Sequence, residues 1–240
     1  MEYTVCIVLL IITIILYWIV FKINIRKIKS LEKNDELTEI TDKFPENIEI
    51  ANEMLDMLSV GVRCTCPKIE QATNTKTSLY IAITNKIIIA DMKNNYARIQ
   101  TIAHECIHSG QDRRLLLFNF IFSNISLLYF VIITLLTLFK VIDISMLQVF
   151  ILTLLALIKF SVRSFLEIDA MTRSRYLAEK YINKTVGAHD CALSENDITK
   201  LLAGYDKINR LGIPFVINNL LTNAIVQILV YMAVGLIMMQ

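Results

Sequence analysis

The chain has 240 residues, of which 55% are hydrophobic and 19% are charged, and its 24 basic and 22 acidic residues nearly balance. An average soluble domain has about 45–50% apolar and about 25% charged residues. The composition therefore excludes an ordinary soluble domain, a coiled coil and a secreted disulfide scaffold, and the small net charge argues against a nucleic-acid partner. Glycine and proline are scarce, which favours long helices.

Four hydrophobic runs predict membrane-spanning helices. In chain order the runs are Val5–Phe21, Leu115–Phe139, Val141–Phe160 and Pro214–Met239. A helix needs about 20 apolar residues to cross the hydrocarbon core of a bilayer. The third run is the weakest because Asp143 and Lys159 lie near its ends, and a buried core helix is the alternative for it. We expect a mainly α-helical integral membrane protein that contacts the lipid bilayer through about four helices.

The basic residues predict the orientation of these helices. Residues 22–114 and 159–212 together hold 23 of the 24 lysines and arginines. The positive-inside rule places both segments in the cytoplasm and both termini outside, and we expect a bacterial plasma membrane. The first run lacks the basic flank and cleavage site of a signal peptide, so it is expected to remain as an anchor. The predicted domains are an anchor (1–22), a cytoplasmic segment (23–114), a transmembrane hairpin (115–162), a second cytoplasmic segment (163–212) and a last span (213–240).

Turn residues and hydrophobic periodicity predict the elements of the two cytoplasmic segments. In chain order these are a helical stalk (22–44), a helix (45–58), a β-hairpin (78–83 and 86–90) and a helix capped by Asn94-Asn95 (94–111). The second segment is predicted to hold a helix (163–184), which can be continuous with the third span, and a separate short helix (195–210).

The helix over 94–111 contains the motif His104-Glu105-Cys106-Ile107-His108. Histidines four residues apart lie on one helix face, so both imidazoles can bind one ion. The glutamate between them is placed to accept a proton from water activated by that ion. Only three histidines occur in the chain and two belong to the motif, so we expect a site for one zinc ion per chain.

A catalytic zinc site needs a third protein ligand. Glu167 and Asp169 follow the third span directly, and acidic residues beside a hydrophobic span are costly unless they have a role. Interfacial carboxylates neutralised by Arg163 and Arg173 at helical spacing are the alternative interpretation.

The combination of two motifs resembles the YugP-type family of neutral zinc metallopeptidases. Ala103-His104-Glu105-Cys106-Ile107-His108-Ser109-Gly110-Gln111 and Glu167-Ile168-Asp169-Ala170-Met171-Thr172-Arg173 carry the resemblance, with a membrane hairpin between them. It departs at Ile107, where that family has glycine, and at Met171, where it has serine. The match to membrane-bound gluzincins with a Glu-x-x-x-Asp motif is poorer, because Met171 stands where their aspartate would be.

This resemblance implies a small gluzincin-like zinc-protease core on the cytoplasmic side, including the short β-hairpin. It implies that His104 and His108 are ligands, that Glu105 is the general base and that Glu167 is the third ligand. Asp169 would orient a histidine or be the ligand itself. The expected activity is hydrolysis of a protein or peptide substrate, as an endopeptidase.

Several further expectations concern the surroundings of the motif. The strand over Lys86–Asp91 is the candidate edge strand for holding substrate. His189, Tyr176 and Arg173 are candidate donors to the oxyanion of the transition state, with ordinary surface roles as the alternative. The five cysteines form no evident pairing framework and are expected to be free thiols.

Two other functions compete with the peptidase. A non-catalytic zinc-binding membrane sensor or assembly protein would have the same metal ligands but would not hydrolyse peptide bonds. A metal transporter is disfavoured, because the four hydrophobic runs carry no histidine or charge near their middles.

Overall fold

The computed structural model describes residues 2–21, 23, 27, 34–59, 66–72, 77–92, 95–188 and 193–239. The described helices are α1 (Glu2–Val20), α2 (Asp35–Asp42), α3 (Asn47–Ser59), α4 (Arg98–Gly110), α5 (Arg113–Leu138), α6 (Met146–Ala188) and α7 (Glu195–Met238). The described strands are β1 (Lys68–Ala72), β2 (Leu79–Ile81) and β3 (Lys86–Ala90). The structure is therefore mainly helical, as expected.

The chain divides into two compact units. The apolar unit comprises Met1–Ile23, Leu117–Phe165 and Pro214–Gln240. The α/β unit comprises Asn24–Leu116 and Leu166–Ile213. Helices α6 and α7 each contribute residues to both units.

Four described helices, α1, α5, α6 and α7, are long and apolar enough to cross a membrane. Within the apolar unit, a buried cluster around Leu152, Tyr231 and Met232 holds helices together. Large apolar side chains such as Leu128 and Phe150 remain exposed. Such extensive apolar exposure is what lipid-facing helices present.

The later helices are longer than the sequence pattern predicts. The expected continuity of 163–184 with the third span is confirmed, since α6 runs unbroken from Met146 to Ala188. The expected break between 195–210 and the last span is wrong, because α7 includes Pro214 in its interior. Proline lacks the backbone N–H that donates within a helix, so Pro214 removes one hydrogen bond from a helix that continues on both sides of it.

The α/β unit contains a three-stranded sheet in the order β1-β3-β2. The predicted hairpin is confirmed: β2 pairs antiparallel with β3, and Asn85 in the turn adopts a left-handed φ of 49°, which asparagine tolerates. β1 was not expected, and it pairs in parallel with β3, with Lys68 opposite Lys86. Parallel pairing joins strands that are distant in sequence, so the hairpin pattern did not indicate it.

The expectation that Lys86–Asp91 forms an edge strand is wrong. Its strand, β3, is the central one, and its backbone groups pair with β1 on one side and β2 on the other. An added strand needs an unpaired edge. In this sheet the edges belong to β1 and β2.

The first helices of the α/β unit lie near their predicted positions. α3 covers most of the helix expected over 45–58. Only part of the expected stalk is described; it contains α2, whose first turn is capped by Asn34, the acceptor of a hydrogen bond from the Leu37 backbone N–H. The expectation that Asn95 caps the motif helix is wrong, because Ala97 occupies the N-cap position of α4 and no side chain makes a capping hydrogen bond there. The side chain of Asn95 accepts from the Ala97 N–H before the helix begins, and Asn94 lies outside the described residues.

Helix α4 lies in the core of the α/β unit. Ile99, Ile102, Ala103 and Cys106 are fully buried at helical spacing in the main hydrophobic cluster. Ile107, where the resembled family has glycine, is also buried there. This packing holds the motif helix rigidly on one face.

A buried arginine anchors the start of α4. The guanidinium of Arg98 donates to the carbonyls of Thr41, Phe44 and Pro45 and to the side chain of Asn47. Arginine suits this place because its planar guanidinium offers several donors in fixed directions. The contacts fix the end of α2 and the beginning of α3 against the motif helix.

Candidate metal site

Two histidines of α4 lie one turn apart with their rings almost touching. The Nε2 atoms of His104 and His108 are 3.0 Å apart, and the two rings are perpendicular. Both side chains are only partly exposed, at 21% and 12%. A pair of imidazole nitrogens this close needs either a shared proton or a cation between them, because two lone pairs repel.

Glu167 of α6 completes the group. Its Oε2 lies 3.5 Å from Nε2 of His104 and 3.8 Å from Nε2 of His108. Ligand atoms about 2.1 Å from a tetrahedral zinc ion are about 3.4 Å from each other. The three observed separations fit that spacing, so the His104, His108 and Glu167 group could hold a metal ion.

Gln111 orients His108 from the C-terminal end of α4. Its Oε1 lies 2.8 Å from Nδ1 of His108 and accepts the hydrogen bond from that nitrogen when Nδ1 carries the proton. This leaves the lone pair on Nε2 for a metal, the arrangement that hydrogen-bond partners of metal-binding histidines produce. Gln111 adopts extended backbone as the chain leaves the helix, which directs the side chain back to the histidine.

Asp169 acts on this arrangement through Gln111. The Nε2 of Gln111 donates to Oδ2 of Asp169 at 2.8 Å and to the Leu166 carbonyl at 2.9 Å. Both acceptors require the amide nitrogen on that side, so the amide oxygen must face His108. Among the described residues, the group that could hold a metal includes Glu167 and not Asp169.

Glu105 is the most enclosed carboxylate of the site, with 6% exposure. Burial raises the pKa of this carboxyl, while His104 and His108 and a hydrogen bond from the Tyr80 backbone N–H oppose that rise. The net pKa lies above the ordinary value for glutamate. A raised pKa brings a carboxylate closer to the range in which it can both accept and donate a proton near neutral pH.

Glu167 and His108 stabilise each other's charge. Burial lowers the pKa of His108, but hydrogen bonds with Glu167 and Gln111 outweigh it, and the net pKa lies above the ordinary value. Burial raises the pKa of Glu167, but its hydrogen bonds with His104 and His108 outweigh that cost, and the net pKa lies well below the ordinary value. Without a metal, this site therefore attracts a proton.

These directions predict how pH affects metal binding. The charge of Glu167 stabilises the metal-free fold above about pH 4.3. The charge of His108 stabilises the metal-free fold fully below about pH 6.5, and this stabilisation is lost as the pH rises through the raised pKa of His108. A metal requires the neutral imidazole. We expect the increase in Tm on adding zinc to be small at pH 5 and to grow towards pH 8, with affinity changing about tenfold per pH unit for each proton released.

Thermal unfolding of zinc-loaded and chelator-treated protein at pH 5, 6.5 and 8 measures this difference. The Glu167→Gln variant is the control, and adding zinc should change its Tm little at any of these pH values. A shift that is equal at all three pH values, or largest at pH 5, would contradict the assignment.

Two of the three candidate oxyanion donors, Arg173 and Tyr176, are described. Arg173 is half exposed and pairs with Asp169, with its Nη1 atom 3.4 Å from Oδ2 of the aspartate. Tyr176 is 66% exposed and follows Glu167 by nine residues, which places it about half a turn around α6. His189 lies outside the described residues.

Two features of the site were not assigned a role from the sequence. The role of Gln111 could have been inferred from its place three residues after His108 at a helix end, where a side chain can reach back. The contact of the Tyr80 backbone with Glu105 joins β2 to α4 and left no signal in the sequence. Of the cysteines, Cys6, Cys66 and Cys106 are described, and all three are free thiols.

We compared the chain with family models, with curated proteins and with solved structures, and none of the three comparisons found a match. The geometry of the site is therefore the basis for a functional assignment.

Proposed function

We propose that the protein is a membrane-anchored zinc-dependent metallopeptidase. The observation that carries the proposal is the spacing of His104, His108 and Glu167, whose ligand atoms lie 3.0 to 3.8 Å apart beside the buried carboxylate of Glu105. Two imidazoles and one carboxylate are a known ligand set of catalytic zinc, which keeps a fourth position open. The gluzincin-like arrangement, with a glutamate ligand from a later helix, is part of the proposal.

The donor set favours zinc over other divalent ions. Magnesium and calcium prefer sites made entirely of oxygen ligands, whereas this group offers two nitrogens and one oxygen. When bound, zinc would supply Lewis acidity towards a carbonyl and lower the pKa of water to about 7.

The chain's own residues would then carry out the proton transfers. A carboxylate oxygen of Glu105 accepts a proton from the attacking water, whose oxygen bonds to the carbonyl carbon of the substrate. As the C–N bond breaks, the same carboxyl group donates its proton to the departing amine nitrogen. Gln111 and Asp169 keep the His108 ring in its binding orientation, and the Tyr80 N–H holds the Glu105 carboxylate in place.

Orientation and location are also proposed. The basic segments favour placing the site at the cytoplasmic face of a bacterial plasma membrane, with both termini outside. Cys66 is exposed, so a variant that keeps only this cysteine can be labelled in intact cells. We expect labelling by a membrane-permeant maleimide alone, and labelling by an impermeant one would reverse the orientation.

Metal removal is the direct test of the proposed activity. The purified full-length protein should contain about one zinc per chain and cleave casein-like or membrane-derived peptides. A chelator should abolish cleavage, and equimolar zinc should restore it, whereas magnesium should not. Zinc binding without any cleavage would favour the non-catalytic sensor or assembly protein instead.

A further inference from the structure

A cavity lined by both polar and apolar side chains lies between two helices of the apolar unit. It has a volume of about 170 Å³ and is lined by α6 on one side and α7 on the other. Water occupies about 30 Å³ per molecule in the liquid, so the space can hold a group of several heavy atoms. The cavity belongs to segments that are apolar enough to cross a membrane.

The polar lining of the cavity consists of cationic and amide groups. Lys159 and Arg163 contribute from α6, and Asn219, Asn223 and Gln227 contribute from α7. The three amides follow one another at intervals of four residues and therefore form one stripe along the helix. None of the described residues that line the cavity is acidic.

Four of these polar side chains have no partner among the described residues. The side chains of Lys159, Asn219, Asn223 and Gln227 make no hydrogen bond or ion pair with any other described residue. Asn219 and Asn223 are exposed, and Lys159 is partly exposed. At membrane depth an unsatisfied polar group is costly, because hydrocarbon offers no hydrogen bonds.

The position of Lys159 indicates the depth of the cavity. Lys159 lies 13 residues after the first residue of α6, or about 20 Å along a helix whose hydrocarbon path is about 30 Å. The cavity therefore lies in the half of the membrane nearer the basic segments of the chain. A lysine at this depth can direct its ammonium group towards the headgroup region.

We propose that this cavity binds the phosphate headgroup of an anionic phospholipid, with the ammonium of Lys159 opposite the phosphate and the amides of Asn219 and Asn223 donating to its oxygens. Phosphate is the shared chemistry of a lipid headgroup and a free phosphate ion. The place of the cavity within the spans favours the lipid, since basic pockets between transmembrane helices bind anionic headgroups. The proposal is independent of the zinc site.

Native mass spectrometry of the full-length protein tests this binding. The titrants are phosphatidylglycerol, phosphatidylcholine with the same acyl chains, and inorganic phosphate. We expect one tightly bound phosphatidylglycerol, weaker binding of phosphatidylcholine and no comparable binding of phosphate. Binding of inorganic phosphate as tight as that of phosphatidylglycerol would overturn the lipid assignment.

Matched variants distinguish the cavity from general charge attraction. Lys159→Gln should weaken phosphatidylglycerol binding about fivefold, and Lys159→Arg should retain it. Asn223→Leu keeps every charge and should also weaken binding, which tests the cavity even if the lysine variant fails to fold. Lys140→Gln removes a charge from the connection between α5 and α6 and should have no effect.

Two results would overturn the proposal. One is wild-type affinity in both Lys159→Gln and Asn223→Leu. The other is an equal loss in Lys140→Gln and Lys159→Gln, which would show that only the total charge matters. Zinc content should stay at the wild-type level in all four variants.

Discussion

The Glu105→Gln variant is expected to keep about one zinc per chain and to lose peptide hydrolysis by at least about 100-fold and up to about 10⁴-fold. The glutamine side chain has nearly the same shape, and its oxygen can still accept the hydrogen bond from the Tyr80 backbone N–H. It cannot accept a proton from water at neutral pH. Binding is therefore preserved while proton transfer is lost. Metal analysis and kcat/KM on one peptide substrate measure the two effects separately.

A matched carboxylate serves as the control for Glu105. Glu70 lies on β1 with a partly exposed side chain, which pairs with Lys68 and Lys86. Glu70→Gln should leave both zinc content and kcat/KM unchanged. Unchanged hydrolysis in Glu105→Gln would refute the proposed mechanism. Loss of zinc in that variant would show that Glu105 supports the site rather than transferring protons.

The Glu167→Gln variant is expected to lose most of its zinc affinity. In the proposed site this carboxylate would supply the negative ligand atom, and in the variant the two histidines face a neutral amide. We expect the Kd for zinc to rise by well over 100-fold, since loss of a partner that only orients a ligand already costs about 10–100-fold. Competition with a chromophoric chelator measures this change at constant pH.

Asp169 provides the comparison that identifies the third ligand. Asp169→Asn removes the charge from the hydrogen bond to Gln111, one side chain away from His108. The Kd should therefore rise by only about 10–100-fold. Glu179→Gln, further along α6 and paired with Arg175, is the inert control. The reverse order of effects, with the larger loss in Asp169→Asn, would make Asp169 the ligand.

Hydropathy and helical spacing predicted the features that depend on local sequence. The four apolar helices follow from runs of apolar side chains, because the favourable free energies of transferring successive side chains into hydrocarbon add up along one segment. The placement of His104 and His108 on one face follows from the turn of the helix alone. The β2–β3 hairpin follows from two β-branched runs joined by a short turn.

Contacts between distant segments required the tertiary structure. Glu167 and Asp169 are close in sequence and similar in chemistry, so the motif alone left the third ligand open. In the structure the helix directs Glu167 to the histidines and Asp169 to Gln111. Two residues separate these side chains by about 200° around a helix, and only packing decides which of them faces the site.

In the sheet, too, the local sequence predicted one pairing of strands and the tertiary structure decided another. The sequence indicated β3 and its hairpin partner β2 but not the parallel partner β1, which makes β3 a central strand instead of an edge strand. Pairing between distant strands depends on loop closure and core packing, which leave no short-range pattern.

The sequence by itself determined the membrane character of the chain, the motif helix and the three residues His104, Glu105 and His108. These properties depend on composition and on spacing within one element. The tertiary structure decided that Glu167 completes the group, that Gln111 and Asp169 orient His108, and that Tyr80 contacts Glu105. Those relations join residues from different elements, and the packing of the core around α4 brings them together.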